Sequence, residues 1–125
     1  MTEEEIAAEV VDAALEVHRE LGPGLLESVY EKCLAFELKQ REIDVQRQVE
    51  IPVYYKELEM NFGFRADLII ENKFIVEVKS SERLADIHLA QILTYLKLTD
   101  IRIGLLINFN VPLIKNGIRR VIYGR

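Results

Sequence analysis

Cysteine and histidine are scarce in this sequence, and their scarcity limits the chemistry that the chain can carry. The 125 residues include one cysteine, Cys33, and two histidines, His18 and His88. A single cysteine excludes an internal disulfide, a CxxC pair and a zinc or iron–sulfur site built from thiolates. A metal ion bound by this chain would therefore rest mainly on carboxylates, which select hard cations such as Mg²⁺ or Mn²⁺.

Long apolar runs are also missing. The run 103–107 has the length of a strand, far below the roughly 18 to 20 consecutive apolar residues of a membrane span. Half of the residues are apolar and 30% are charged, which is typical of a globular domain and excludes a disordered chain. We therefore expect a single domain over residues 1–125 and no membrane partner. The acidic residues 3–5 do not resemble a secretory signal, so the cytoplasm is the expected location.

Basic residues are outnumbered, with a net charge of −5 from 16 bases and 21 acids. The acidic excess is confined to residues 1–50, which carry 13 acids and 5 bases, whereas residues 51–125 carry 8 acids and 11 bases. The second part therefore has a mildly basic character that suits phosphate. Charge alone nevertheless favours an ordinary solvated surface, because strong duplex-binding proteins are usually more basic.

The spacing of apolar residues predicts the order helix, helix, three strands, helix, strand, strand, which indicates an α/β domain. Pro52 predicts that the first strand lies at an edge of the sheet. Within this strand, alternation places Arg47 and Gln48 on opposite faces. The expected helices cover residues 3–21, 25–41 and 86–99, and the expected strands cover 45–53, 62–70, 74–80, 102–109 and 118–123. The second helix carries an apolar stripe that we expect to face the core, formed by Leu25, Val29, Cys33 and Phe36.

The hairpin 62–80 is the most informative segment. A three-residue turn centred on Asn72 sets Asp67 opposite Glu77 on the neighbouring strand. Alternation then places Lys79 on the same face as the two acids. The hairpin therefore predicts a polar face that carries two carboxylates and a lysine.

Two carboxylates directly opposite each other, with Cβ atoms roughly 4.5 to 5.5 Å apart, destabilise a sheet. Positive charge between them removes this repulsion. A divalent cation bound by Asp67 and Glu77 is one source, and the flanking side chains of Arg65 and Lys79 on the same face are another. The hairpin alone favours the second explanation, a solvated charged face.

Two helical segments add residues to this pattern. Gln91 and Tyr95 lie one turn apart on the third helix, and Glu27 and Tyr30 share a face at the start of the second. With the hairpin acids and lysine, this set resembles the PD-(D/E)XK nuclease superfamily, whose RecB-like branch carries a QxxxY element like the Gln91 and Tyr95 pair. More narrowly, the chain resembles the small GxxExxY proteins, through Gly24, Glu27 and Tyr30, over residues 11–121.

The resemblance implies a restriction-endonuclease-like fold, with a mixed sheet flanked by helices, and a metal-dependent phosphodiesterase site. The implied ligands of Mg²⁺ or Mn²⁺ are Asp67, Glu77, the Val78 carbonyl and Glu27. Lys79 would orient or help to deprotonate the attacking water and stabilise negative charge in the transition state. Gln91 would position water or phosphate, and Tyr95 would support it. The sequence departs from the superfamily name in one place, because Ala66 stands where the name has proline.

Three hypotheses about function follow. The first is a nuclease whose partner is DNA or RNA. The second is a nuclease-like fold with little turnover that serves as a binding or dimerisation module. The third is an interaction protein whose acids only solvate a surface. The retention of Glu27, Asp67, Glu77 and Lys79 in one chain favours the first. The small size of the chain predicts a homodimer or a protein partner.

Overall fold

The computed structural model describes residues 1–61 and 64–124. It contains three α-helices, seven strands and one 3₁₀ helix in this part of the chain. The helices are α1 (Glu3–Leu21), α2 (Glu27–Gln40) and α3 (Asp86–Thr99), and the 3₁₀ helix is Ile114–Gly117. The strands are β1 (Val45–Glu50), β2 (Val53–Tyr55), β3 (Leu58–Met60), β4 (Arg65–Ile70), β5 (Phe74–Lys79), β6 (Ile103–Asn108) and β7 (Ile118–Ile122).

Five strands form a mixed sheet in the order β1-β4-β5-β6-β7. β5 and β6 are parallel and are connected by α3, whereas the other neighbouring strands are antiparallel. Helices α1 and α2 pack on one face of the sheet and α3 packs on the other. The predicted α/β fold with a mixed sheet flanked by helices is confirmed. No helix within the described residues is long and apolar enough to span a membrane.

The first predicted strand ends earlier than expected and is followed by a hairpin that the sequence analysis missed. β1 lies at the edge of the sheet, as Pro52 predicts, but it stops at Glu50. The chain then forms β2 and β3, which pair with each other in a separate two-stranded sheet. Proline has no backbone N–H to continue a ladder, so the strand breaks beside it. The predicted start of the next strand, Phe62, lies outside the described residues.

The predicted core face of α2 is wrong. Leu25 precedes the helix, and Val29 and Phe36 lie on its exposed side, with Phe36 59% exposed. Cys33 is half-buried at the margin of the core. The residues that face the sheet are instead Tyr30, Glu31, Leu34, Ala35 and Leu38. Both stripes have helical spacing, and only packing against α1 and the sheet distinguishes them.

A buried tyrosine fixes the junction between α1 and α2. Helix α1 ends at Leu21 and is capped by Gly22, whose φ of 68° is one that glycine adopts without strain. The Tyr30 hydroxyl donates a hydrogen bond to the Gly22 carbonyl and accepts one from the Leu25 amide. The Tyr30 ring stacks on Phe109, with centroids 4.5 Å apart. These contacts hold the start of α2 against the end of β6, which places Glu27 beside the sheet.

The revised core face of α2 leads to a stability prediction. Leu34→Ala should lower the free energy of unfolding by about 2 to 5 kcal/mol, because it leaves a cavity in the core. Phe36→Ala should change it by less than about 0.5 kcal/mol, because this side chain is mostly exposed. Urea denaturation of the two variants measures the difference. Equal losses would show that the stripe through Phe36 is buried after all.

Candidate active site

The predicted register of the hairpin is confirmed for the three pairs nearest the turn. The pairs Leu68↔Val76, Ile69↔Ile75 and Ile70↔Phe74 are those that a turn centred on Asn72 requires. Beyond them, side chains take over the hydrogen bonding between the strands. The Asp67 amide donates to Glu77 Oε2 at 2.6 Å, and the Val78 amide donates to Asp67 Oδ2 at 2.8 Å. The two carboxylates therefore lie side by side, each bound to the backbone of the opposite strand.

Glu77 is only 3% exposed, and Asp67 is half-buried. Burial raises the pKa of Asp67 to about 6, and nearby Glu31 and Glu27 add to the rise. Burial raises the pKa of Glu77 to about 8, with the charge of Asp67 as the next cause. The Lys79 ammonium lowers both pKa values by a smaller amount. The pair is therefore short of positive charge.

Arg65 does not supply that charge. Its guanidinium lies 3.9 Å from Glu50 on the neighbouring edge strand. Within residues 1–61 and 64–124, neither Asp67 nor Glu77 forms an ion pair within 4.0 Å. The explanation in which flanking cations neutralise the two acids is therefore weakened, since Lys79 acts on them only at longer range.

Glu27 reaches the same place from α2. Its side chain is exposed, and Glu27 Oε2 accepts a hydrogen bond of 3.3 Å from the amide of Ser80, the residue after β5. The Ser80 hydroxyl in turn donates to the Leu25 carbonyl at 2.6 Å. Glu27 and Asp67 line one cavity of about 510 Å³. The structure therefore brings Glu27 to the hairpin acids across 40 residues of sequence.

Lys79, Gln91 and Tyr95 line a second groove, of about 450 Å³, on the α3 side of the acids. Tyr95 is buried and Gln91 is exposed. Burial raises the pKa of Tyr95, followed by the charges of Glu77 and Asp67, whereas hydrogen bonds with the Arg65 backbone and the Gln91 side chain act in the opposite direction. Gln91 and Tyr95 thus lie beside the lysine, and Tyr95 is also close enough to the two acids for their charges to act on it.

The two histidines have different surroundings. His18 is buried and its Nε2 lies 2.8 Å from the Val111 carbonyl, which gives it a structural role in the core. His88 lines the groove with Lys79, and His88 Nδ1 accepts a hydrogen bond from the Ala85 amide at the start of α3.

Sequence reasoning missed a polar cluster beside Asp67. Glu31 is buried, and Glu31 Oε2 accepts hydrogen bonds of 3.1 and 3.0 Å from Arg47 Nε and Nη2. Glu31 Oε1 accepts one of 2.6 Å from Gln48 Nε2, which also lies 3.4 Å from Asp67 Oδ1. A signal for Glu31 was present, because it follows Tyr30 directly on the buried face of α2. The sequence analysis expected the stripe through Val29 and Phe36 to face the core, and Glu31 does not belong to that stripe.

Asn108 is a second residue near the site that sequence reasoning missed. It is 1% exposed at the end of β6, and it exchanges hydrogen bonds of 3.1 and 3.0 Å with the backbone of Ser81. The Phe109 amide also donates to the Lys79 carbonyl at 2.9 Å. These bonds fix the chain immediately after Lys79, so the lysine extends from a rigid strand end.

The donor set fits a hard divalent cation. Asp67 and Glu77 offer carboxylate oxygens whose charge Lys79 offsets only in part, and such oxygens are the preferred ligands of Mg²⁺ and Mn²⁺. In the described part of the chain, no three Asp, Glu, His or Cys side chains form a metal-binding group. Mg²⁺ usually binds one or two carboxylates and keeps several waters, so two carboxylates suffice for it.

The other two predicted ligands stay predictions. Val78 contacts the site through its amide, and a role for its carbonyl is untested. Glu27 lies close enough to affect Asp67 electrostatically, but its role as a ligand is untested too.

Comparison with known proteins adds one match. The family model described as the PD-(D/E)XK nuclease superfamily matches residues 4–121, nearly the whole chain. The match spans α1 through β7 and includes every residue of the candidate site. No curated protein matches the chain.

The raised pKa values of the two acids predict how stability depends on pH without metal. The ordinary values are 3.8 for Asp67 and 4.5 for Glu77, against about 6 and about 8 in the folded chain. Between about pH 4 and 8 these two groups therefore bind more protons in the folded protein than in the unfolded chain, so their contribution to stability falls as pH rises. Urea denaturation in EDTA at pH 5 and pH 8 should show this loss.

The double variant Asp67→Asn, Glu77→Gln should largely lose this pH dependence. Glu50→Gln removes a mostly exposed carboxylate from β1 and should keep it. A wild-type slope in the double variant would mean that other groups cause it.

Proposed function

This chain belongs to the PD-(D/E)XK nuclease superfamily, and we propose that it is a Mg²⁺- or Mn²⁺-dependent nuclease that hydrolyses phosphodiester bonds of DNA or RNA. The observation that carries the proposal is the pair formed by the half-buried Asp67 and the buried Glu77, with Lys79 two residues farther along the same strand as Glu77. Lys79 offsets the charge of the two carboxylates only in part, and such a pair of acids suits the hard divalent cation that nucleases of this superfamily generally use.

Asp67 and Glu77 are the proposed cation ligands, with Glu27 and the Val78 carbonyl as additional ones. When bound, the cation polarises the phosphodiester and makes water a better nucleophile at neutral pH. The chain contributes the fixed position of the acids. Both carboxylates accept hydrogen bonds from backbone amides of the sheet. They therefore need little rearrangement when a cation binds.

Lys79 is the proposed catalytic cation of the protein itself. Its ammonium group has three N–H donors and lines the groove on the α3 side of the acids. From there it orients the attacking water, assists its deprotonation and stabilises the negative charge that grows on the phosphoryl oxygens. The hydrogen bonds of Asn108 and Phe109 behind it limit the motion of the strand end.

Gln91 and Tyr95 complete the proposed site from α3. The exposed amide of Gln91 suits contact with a phosphate oxygen or the attacking water. The buried Tyr95 side chain, which lines the same groove as Gln91, supports that orientation.

A finer classification is also part of this proposal. Gly24, Glu27 and Tyr30 support membership of the GxxExxY proteins, and the spacing of Gln91 and Tyr95 supports the RecB-like branch. The cytoplasm is the proposed location, and a homodimer or a protein partner is proposed because the chain is small. These points depend on the sequence argument alone.

Mn²⁺ binding at the two acids predicts a gain in stability. Mn²⁺ or Mg²⁺ should raise the melting temperature of the wild type by mass action, since the unfolded chain lacks the site. Asp67→Ala and Glu77→Ala should lose this gain, and Glu57→Ala, in the exposed turn between β2 and β3, should keep it. Thermal melts over a Mn²⁺ titration measure the effect. The same gain in all four proteins would place the cation elsewhere.

We expect that removing the Lys79 charge reduces cleavage. Lys79→Met should reduce Mg²⁺- or Mn²⁺-dependent cleavage by about 10²- to 10³-fold, the usual cost of losing a group that acts in the transition state. It should leave the Mn²⁺-induced gain in melting temperature intact. Lys115→Met, an exposed lysine in the 3₁₀ helix, should cleave at the wild-type rate.

The assay uses single- and double-stranded DNA and RNA, so that it also identifies the substrate. Glu77→Ala is the control for contamination, because a contaminating nuclease would give equal cleavage in the wild-type and Glu77→Ala preparations. No cleavage above this background on any substrate would favour a binding or dimerisation module. Full activity of Lys79→Met would assign the lysine no catalytic role.

A further inference from the structure

Gln48 has an unusual backbone for a residue inside a strand. Its φ is +50°, in the left-handed region that is unfavourable for residues other than glycine, asparagine and aspartate. The flanking pairs Arg47↔Leu68 and Val49↔Ala66 share one register, so no residue is inserted. That register places Gln48 opposite Asp67. The strain therefore lies at one position, beside a candidate site residue.

The strain has a visible consequence for side-chain direction. In a regular strand, consecutive side chains point to opposite faces of the sheet, as the sequence analysis expected for Arg47 and Gln48. Here both residues donate hydrogen bonds to the carboxylate of Glu31 on α2. The expectation of opposite faces is wrong, because the left-handed residue turns its side chain to the face that Arg47 already occupies.

This placement sets the Gln48 amide between two acids. Gln48 Nε2 lies 2.6 Å from Glu31 Oε1 and 3.4 Å from Asp67 Oδ1. An amide nitrogen carries two protons, so it can donate to both carboxylates. The second oxygen of Glu31 is held by Arg47, and the second oxygen of Asp67 is held by the Val78 amide. Asp67 is thus held from both sides.

We propose that Gln48 is a positioning residue, whose strained backbone holds its amide between Glu31 and Asp67 so that the Asp67 carboxylate is oriented for a cation. The part that concerns the cation rests on the proposed function. Strain in a backbone persists where the surrounding structure enforces it, and it concentrates at functional sites. Groups that orient a metal ligand commonly change metal affinity by about 10- to 100-fold when they are removed.

Two substitutions at Gln48 separate the effect of its side-chain amide from the effect of its strained backbone. Gln48→Ala removes the amide and keeps a Cβ in the strained conformation, whereas Gln48→Gly removes both. Calorimetric titration of the full chain with Mn²⁺ should show about 10- to 100-fold weaker binding in both variants. Gln48→Gly should nevertheless melt at a higher temperature than Gln48→Ala without metal, because glycine adopts a positive φ freely.

Gln46 provides the matched control, two residues earlier on the same strand and exposed. At this position alanine should be more stable than glycine, the reverse of the order at Gln48, because glycine weakens a strand interior. Both Gln46 variants should bind Mn²⁺ as the wild type does. A merely structural role for Gln48 would lower its melting temperatures without changing Mn²⁺ affinity. Wild-type affinity in Gln48→Ala would overturn the proposal.

A measurement without metal tests the role of Gln48 separately from the proposed nuclease function. If the wild type binds no Mn²⁺, the proposed function fails, and the contact of Gln48 with Asp67 is judged by NMR of the metal-free chain. The side-chain amide resonances of Gln48 should shift in Asp67→Asn, and those of Gln46 should not. Unchanged Gln48 resonances would overturn the positioning role.

Discussion

The candidate site depends on two hydrogen bonds between carboxylates and backbone amides. Where the ladder of β4 and β5 ends, Asp67 and Glu77 each accept a hydrogen bond from the opposite strand. This exchange keeps two acids together in a buried place, although burial raises both pKa values and each charge disfavours the other. The arrangement opposes the stability of the metal-free chain at neutral pH, and the same arrangement suits a hard cation.

The surroundings of the pair are rigid, and this rigidity comes from buried polar groups at the ends of elements. Tyr30 joins the loop before α2 to Phe109 after β6. Asn108 joins the end of β6 to the backbone just after Lys79. Sites built on strands and helices hold side chains more accurately than sites built on loops. The candidate site is of this kind, because its side chains come from β4, β5 and α3 and from the first turn of α2.

One departure from regular strand structure lies beside the same acids. Other non-glycine residues with positive φ, such as Asn72 and Asp100, lie in turns or at helix ends, where this conformation is common. Gln48 lies inside a strand and faces Asp67. The buried Glu31 beside it has both oxygens satisfied by Arg47 and Gln48. Local rules are thus broken where the chemistry is proposed, which is a general feature of functional sites.

The sequence by itself determined those features that depend on local spacing. The bounds of α1 and α3 agree with the apolar periodicity, and the short turn at Asn72 fixed the register that brings Asp67 beside Glu77. Period-two and helical spacing act over a few residues, so they can be read from neighbouring letters. The same spacing could not select the buried face of α2, because two apolar stripes were present. Only packing decided between them.

The tertiary structure alone decided which distant residues surround the acids. Glu31 comes from α2, and Arg47 and Gln48 come from the edge strand, where a left-handed residue overrides the alternation that the sequence predicts. No periodic pattern encodes such a contact, because it depends on how a helix lies across a sheet. The sequence therefore specified the pair of carboxylates, and the fold specified the polar groups that hold and orient it.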